Sequence, residues 1–358
     1  MKRIAKAAVL LAGLTAAVLA GSPADAAPKK SFKVGYTVYI GFMPFAYMKQ
    51  SGIMKKWADK YGIDVDIIQT NDYVGGVNQF IAGELDAVGV ASMDGLTMPA
   101  AGGVDTSVFL ITDYSNGNDI LLSKTAKTVP ELVGKDVYLL QYSVSHYLLN
   151  RALTISGVAD TASVKAINIS DAEISAAYIS QPDLQNAASW KPLTEDMLKV
   201  KGSTKLFDSS QIPGEIMDVF VGQTANLKDN PDFAKAVTGA WYEAMGILAA
   251  GGDKAKEMRA VMTSAMGTDE AGLQSQLDTT FFFMKPADAV TFLTAGTTGK
   301  IWDTIRKFCF EQGLFGQGAT SVDSIGIELA DGTVLGDKAN IKMRLNPTFA
   351  KMSADGKL

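Results

Sequence analysis

The chain holds one cysteine and one histidine in 358 residues. Cys309 therefore has no internal disulfide partner, and its apolar setting in IRKFCFEQG predicts a buried thiol. A Cys/His zinc site and a Cys–His nucleophile pair both lack the residues they need. Carboxylate-only metal sites stay open, although no EF-hand loop is present. Positive charge is not in excess: the formal net charge is −5. That balance argues against nucleic acid and against an anionic membrane surface as partners. There is no nucleophile elbow, P-loop or dinucleotide fingerprint, and GLFGQG lacks the strand and helix that a phosphate loop requires. No cofactor is expected. Internal repeats, low-complexity linkers and a disordered tail are also missing.

Long hydrophobic runs are scarce too. The one that stands out, AAVLLAGLTAAVLAG, follows Lys2, Arg3 and Lys6 and precedes Ala24-Asp25-Ala26. It is too short for a membrane span and reads as a secretory signal peptide over residues 1–26. No Cys follows Gly21, so no lipid anchor is indicated there. The leader carries a net +2, which leaves −7 on the mature chain.

What remains reads as alternating strands and helices. Phe32 to Gly41 is a first strand that ends in an aromatic loop, and AYMKQSGIMKKWADKYG has helical spacing up to Gly62. IDVDIIQT is a second strand, and VGGVNQFIAGE a helix after Asp72. The stretch Glu84 to Asp119 then gives strand, short helix, strand. This order predicts an α/β fold of two lobes, each a mostly parallel sheet flanked by helices. Lobe 1 is expected to be discontinuous, residues 31–120 plus 221–358, with lobe 2 over 121–220. Two crossings join the lobes and allow a cleft to close on a ligand. The remainder, from PDFAKAVTGAWYEAMGILAAG through DEAGLQSQLDTTFFF to GKIWDTIRKFCFEQGLFG, reads as largely helical.

Ligands of open α/β sheets sit beyond the carboxyl ends of strands. Asp94 and Asp113 fall at such ends and would select a cation or a donor-rich neutral molecule, because ionised carboxylates only accept hydrogen bonds. Each also has an ordinary structural role open to it: Asp94 as a helix N-cap, Asp113 as a turn residue in DYSNGND. Tyr39, Phe42 and Phe45 in the aromatic loop suit either a stacking wall or core packing. Gln141 and Ser143, at the start of the helix SVSHYLLNRALTISG, suit a polar ligand group or simple capping. Trp190 before Lys191-Pro192, and Glu215 or Asp218 near the second crossing, complete the candidates. His146 is read as structural.

Particular strings then carry a family likeness. VGYTVYIGFMPFAYMKQSGIMKKWADKYGIDV, the GELDA segment, the leader and the two crossings resemble periplasmic substrate-binding proteins of ABC importers, in the nitrate/sulfonate/taurine branch. More narrowly, NDYVGGVNQFIAGELDA, SMDGLTMPAAGGVDT, DYSNGND, SVSHYLL, FDSSQIPGE, TGAWYE, PADAV and GDKAN are similar to the urea-carboxylase-associated binding proteins. The likeness covers nearly all of the mature chain and departs from that family's pattern at Phe42, Phe45, Gln141 and Lys191. It implies a type II periplasmic binding fold without catalysis: a periplasmic monomer that captures a small nitrogen-rich solute and delivers it to an inner-membrane permease. Urea, guanidine or a related amine or amidine is the implied solute, with nitrate, taurine or an alkanesulfonate as the alternative. An enzyme of the kind that forms the thiamine pyrimidine is the alternative of another class; the single histidine and the export signal weigh against it.

Overall fold

The structure, a computed structural model, describes residues 29–358. The expected signal peptide lies outside the described residues. In chain order the strands are β1 Ser31–Tyr36, β2 Asp64–Gln69, β3 Ala87–Ala91, β4 Thr106–Ser115, β5 Asp119–Ser123, β6 Asp136–Leu139, β7 Lys165–Asn168, β8 Asn186–Trp190, β9 Thr204–Asp208, β10 Met217–Gln223, β11 Thr280–Phe282, β12 Gly326–Glu328, β13 Val334–Leu335 and β14 Ile341–Leu345. They form two sheets. One runs β13-β12-β14-β4-β10-β3-β1-β2, with β11 added to β4; the other runs β7-β6-β8-β5-β9. Helices flank both, giving the expected two-lobed α/β architecture.

The sheets are mixed where a mostly parallel arrangement was expected. β1 pairs in parallel with β2 and β3, but β10 runs antiparallel to both β3 and β4. In the second sheet β5 is antiparallel to β8 and β9. The reason is topological. The strands that enter each sheet from the other, β5 and β10, are the ones that run against their neighbours.

Burial follows from these positions. β3 and β4 lie inside their sheet, between neighbours and under helices, and read as nearly continuous apolar runs whose residues are buried almost throughout. The twenty-residue helix Pro231–Ala250 presents Phe233, Val237, Trp241 and Met245 to the core, one face at helical spacing. It packs against the helices Pro44–Gln50, Ile53–Lys60 and Thr348–Ala354. Cys309 is fully enclosed in the helix Gly296–Glu311.

The C-terminal part is less helical than its sequence suggests. In DEAGLQSQLDTTFFF only Glu270–Leu277 is helix; Thr280–Phe282 becomes β11, because β4 leaves an open edge there and the β-branched and aromatic residues suit it. Residues 326–345 add β12, β13 and β14 to the far side of β4.

The two crossings run side by side. The chain leaves the first sheet after Ser115, enters the second at Asp119, and returns from Asp208 to Met217. Ser209 ties them together: its hydroxyl lies 2.6 Å from that of Ser115 and accepts the Gly117 N–H at 2.8 Å.

Candidate functional site

β3 and β4 end, and β10 begins, at one edge of the first sheet, and the loop after β1 folds over that edge. The start of β5, the end of β8 and the N-termini of the helices Val144–Ile155 and Asp171–Ser180 face it from the second sheet. Together they enclose a cavity of about 100 Å³, room for a solute of a few heavy atoms. Its walls carry five aspartates: Asp94, Asp113, Asp119, Asp171 and Asp218. Tyr39, Tyr73 and Trp190 supply aromatic surface, and Ser143, Ser145, Gln276 and Thr280 hydroxyl and amide groups.

The aromatic residues brace one another across the lobes. Trp190, from the second sheet, meets Tyr39 edge-on with ring centres 5.0 Å apart, and Tyr73 lies 5.2 Å from Tyr39 on the other side. The Tyr73 hydroxyl is fully engaged: it accepts the Ala91 N–H at 3.0 Å and donates to Asp94 at 2.7 Å. Asp94 is thereby aimed by its neighbour while its other oxygen stays open.

Asp113 and Asp218 stand opposite each other on adjacent antiparallel strands. Asp113 is 2 % exposed and accepts from the Thr112 hydroxyl at 2.8 Å. Among the described residues the Asp218 carboxylate accepts no hydrogen bond. Gly41 closes over both. A β-carbon there would stand 2.0 Å from Asp113 Oδ2 and 2.5 Å from Asp218 Oδ2, so only glycine lets the loop reach this close.

Enclosure raises every one of these acids. Burial pushes Asp94 up to about 6 against a restraining hydrogen bond from Tyr73, and Asp113 up to about 7. Burial also raises Asp119 to about 6, with a smaller contribution from the charge of Asp171. Asp171 itself is raised by burial and partly held down by the neighbouring Trp190 side chain. Asp218 goes well above the ordinary carboxylate range, first from burial and then from the charges of Asp113, Asp119 and Asp94. The one cation at the edge, Lys191, is turned to Ser275, donating to its carbonyl at 3.0 Å and its hydroxyl at 2.9 Å. Among the described residues, no group of three or more His, Cys, Asp or Glu side chains is arranged to hold a metal ion.

Of the residues singled out by sequence, the cavity brings together Tyr39, Asp94, Asp113, Ser143 and Trp190. Three lie elsewhere. Phe42 is fully buried in the first lobe, edge-on to Phe220, which stacks on Phe45 at 4.2 Å with Trp241 beyond. The loop turns back into a helix at Pro44, and that turn swings Phe42 into the core. Gln141 points away: its amide donates to the Ala166 carbonyl at 3.0 Å, on the surface shared with His146. Glu215 is held by Arg151, at 2.6 and 2.9 Å, and by the Tyr147 hydroxyl at 2.5 Å.

The structural roles weighed for Asp94 and Asp113 are not the ones they take. Ala91 occupies the N-cap position before Ser92, and Asp94 sits in the first turn without capping it. Asp113 lies within β4 and not in the turn after it. Ser143 does cap its helix, accepting the Ser145 N–H at 3.1 Å, while its hydroxyl donates to the Leu140 carbonyl at 2.7 Å. Asp119, Asp171, Asp218, Tyr73, Gln276 and Thr280 were not assigned to a ligand from sequence, although Asp218 was weighed beside Glu215.

Comparison with known proteins agrees with this architecture. The sequence profile of the NMT1-like family matches residues 25–266. The fold is similar to that of the periplasmic aliphatic sulphonate binding protein of Escherichia coli (TM-score 0.66, 19 % identity, 80 % of this chain and 94 % of that one). It is similar also to the alkanesulfonate-binding protein of Xanthomonas axonopodis pv. citri bound to MOPS (TM-score 0.63, 16 % identity, 82 % and 96 %). The periplasmic nitrate-binding protein of Synechocystis PCC 6803 shares it more loosely (TM-score 0.54, 12 % identity, 93 % and 100 %). No curated protein matches the chain in sequence.

Proposed function

Because the chain belongs to the NMT1-like family and has the fold of periplasmic binding proteins, we propose that it is the solute-binding component of an ABC importer. In this reading it works in the periplasm without catalysis, captures a small solute rich in N–H groups between its lobes, and hands it to a membrane permease. Urea, guanidine and small amines or amidines are such solutes. The observation that carries the reading is the set of five aspartates around one small aromatic cavity with no free counter-charge. The ionised members of this set accept and never donate, so they call for a ligand made of donors. Tyr39 and Trp190 come from different lobes and meet over the cavity, which links occupancy to closure.

A second reading, an oxyanion such as nitrate or an alkanesulfonate, has one observation in its favour. The helix Val144–Ile155 opens onto the cavity at Ser143, and helix N-termini favour anions. The ionised aspartates beside it, Asp94 and Asp119 among them, outweigh that partial charge.

Calorimetric titration of the chain from Ala27 onward with guanidinium, urea, taurine and nitrate separates the two. The donor-rich reading expects guanidinium or urea to bind and Asp94→Asn to weaken binding about 10- to 100-fold, the range of one hydrogen bond to a charged group. Binding of taurine or nitrate, unaffected by Asp94→Asn, would sink it.

A further inference from the structure

Asp113 and Asp218 differ from the other three aspartates in facing each other. They occupy one register position of the antiparallel pair β4 and β10, and both reach the place where a Gly41 side chain would stand. No basic residue joins them. The groups packed around the pair are Tyr39 from the loop after β1, Asp94 and Tyr73 beside the end of β3, Asp119 from β5 and Asp171 from the second lobe, with Gln276 and Thr280 as neutral neighbours. Lys191, at the cavity edge, is turned to Ser275. Asp113 has one neutral donor, Thr112, and Asp218 has none among the described residues.

Two carboxylates this close, without a cation, do not both ionise. We propose that the solute is a compact cation bearing several N–H donors, and that the Asp113–Asp218 pair, holding one proton between them while the cavity is empty, releases it to solvent as the cation enters. This rests on the solute-binding reading above and narrows it to charged solutes. A neutral molecule such as urea brings no charge to displace the proton and would leave the pair protonated, with one of its oxygens carrying an O–H and not open to the solute's donors. A quaternary ammonium would bring charge but no donors, leaving the carboxylate oxygens unsatisfied in an enclosed space. A cation with several N–H groups supplies both, and its positive charge is what drives the shared proton off. The exchange balances: one carboxyl O–H bond breaks, its proton goes to water or buffer, and the net charge of the occupied cavity equals that of the empty one.

Burial raises Asp113 to about 7, and burial with the charges of Asp113, Asp119 and Asp94 raises Asp218 well above the ordinary carboxylate range, so the empty pair keeps a proton at neutral pH, whereas Asp94 and Asp119, at about 6, are mostly ionised there. The test is calorimetry at pH 7.2 in two buffers of different ionisation enthalpy, with guanidinium, acetamidinium, methylammonium, tetramethylammonium, urea and nitrate as probes. At least one N–H cation is expected to bind, with close to one proton released per cation bound. Around pH 7 its affinity should fall about tenfold for each unit the pH drops, the linkage counterpart of one proton released, and more steeply below pH 6, where Asp94 and Asp119 also take up protons. In Asp218→Asn, whose folding is checked by thermal unfolding, the cation still binds through Asp113 and Asp94 but the proton release falls to about half or less, the share that burial alone leaves on Asp113. Asp113→Asn should do the same, which covers failure of either variant to fold.

Equal heats in the two buffers, with a cation bound, would overturn the proton exchange and leave the solute-binding reading standing. Urea binding in preference to every cation would overturn the charge selection while keeping a donor-rich ligand. Tetramethylammonium binding best would show that the oxygens need no donors and would overturn the proposal likewise. Nitrate binding alone would overturn this proposal and the donor-rich reading together and favour the oxyanion reading, and silence from every cation would refute the compact-cation assignment.

Discussion

Glu215 and Asp218 are three residues apart, at the end of one crossing and the start of the strand that follows, and they show opposite uses of an enclosed acid. Glu215 accepts three hydrogen bonds, two from Arg151 and one from Tyr147. Asp218 accepts none among the described residues and faces another carboxylate. The first arrangement is complete, and nothing more can be added to it. The second is stable only in company that the chain does not itself provide. A saturated carboxylate is part of the scaffold; an unsaturated one beside a cavity is held ready for a partner.

The comparison can be broken most strongly with pH. Acids whose folded pKa is raised bind more protons folded than unfolded. Their contribution to stability is present below about pH 4 and is lost as pH rises through the folded values near 6 and 7. The ligand-free protein should therefore lose about 3–5 kcal/mol between pH 5 and pH 8, a fall of several degrees in Tm. His146, whose pKa is lowered by burial, acts in the opposite direction in the same window, but as one group against several. Denaturant melts at four pH values check this, and a flat profile would mean the cavity acids are hydrated more fully than their burial implies.

A smaller effect comes from the saturated side. Arg151→Met leaves Glu215 with Tyr147 alone and should cost about 2–3 kcal/mol. That lies below the usual penalty for a fully buried broken pair because both side chains keep some solvent contact. Solute affinity should stay within about threefold, since neither residue lines the cavity. Smallest is the change at Asp218 itself. Asp218→Asn removes an acid that folding forces to keep a proton it would lose when unfolded, and the ligand-free protein should gain about 1–2 kcal/mol at pH 7.5. If Asp218→Asn destabilised the empty protein as Arg151→Met does, the two acids would not differ in kind.

How far the sequence could be read follows from the same contrast. Asp94 and Asp113 could be picked out because each comes near the end of an apolar strand, where α/β folds place ligands. Asp119 and Asp218 begin strands of the two crossings, and their meeting depends on how the sheets are threaded. Nothing in either local pattern announces it. Asp171 was legible as the start of a helix but not as a neighbour of Asp119. Glu215 and Asp218 were indistinguishable by position, and what separates them is Arg151, 64 residues upstream of Glu215, which only folding brings close. Phe42 was misplaced because an aromatic loop looks alike whether its rings face a ligand or a core; the turn at Pro44 decides. In the fold, strong periodicity gave the long helices, while β11 and β14 are short strands that owe their state to open edges beside β4, with β12 and β13 added beyond β14, and all four were hidden.

Cys309 has a practical use because it is so completely enclosed. It is 0 % exposed and burial raises its thiol, so the folded protein should be blank to thiol-directed dyes. Tyr142 is exposed and adjoins Ser143 on the cavity wall. A single cysteine introduced there would be the only site that a fluorophore could take, without first deleting the native one. The protein thus comes prepared for conversion into an optical reporter, in which capture of a solute is read as a change of colour or brightness.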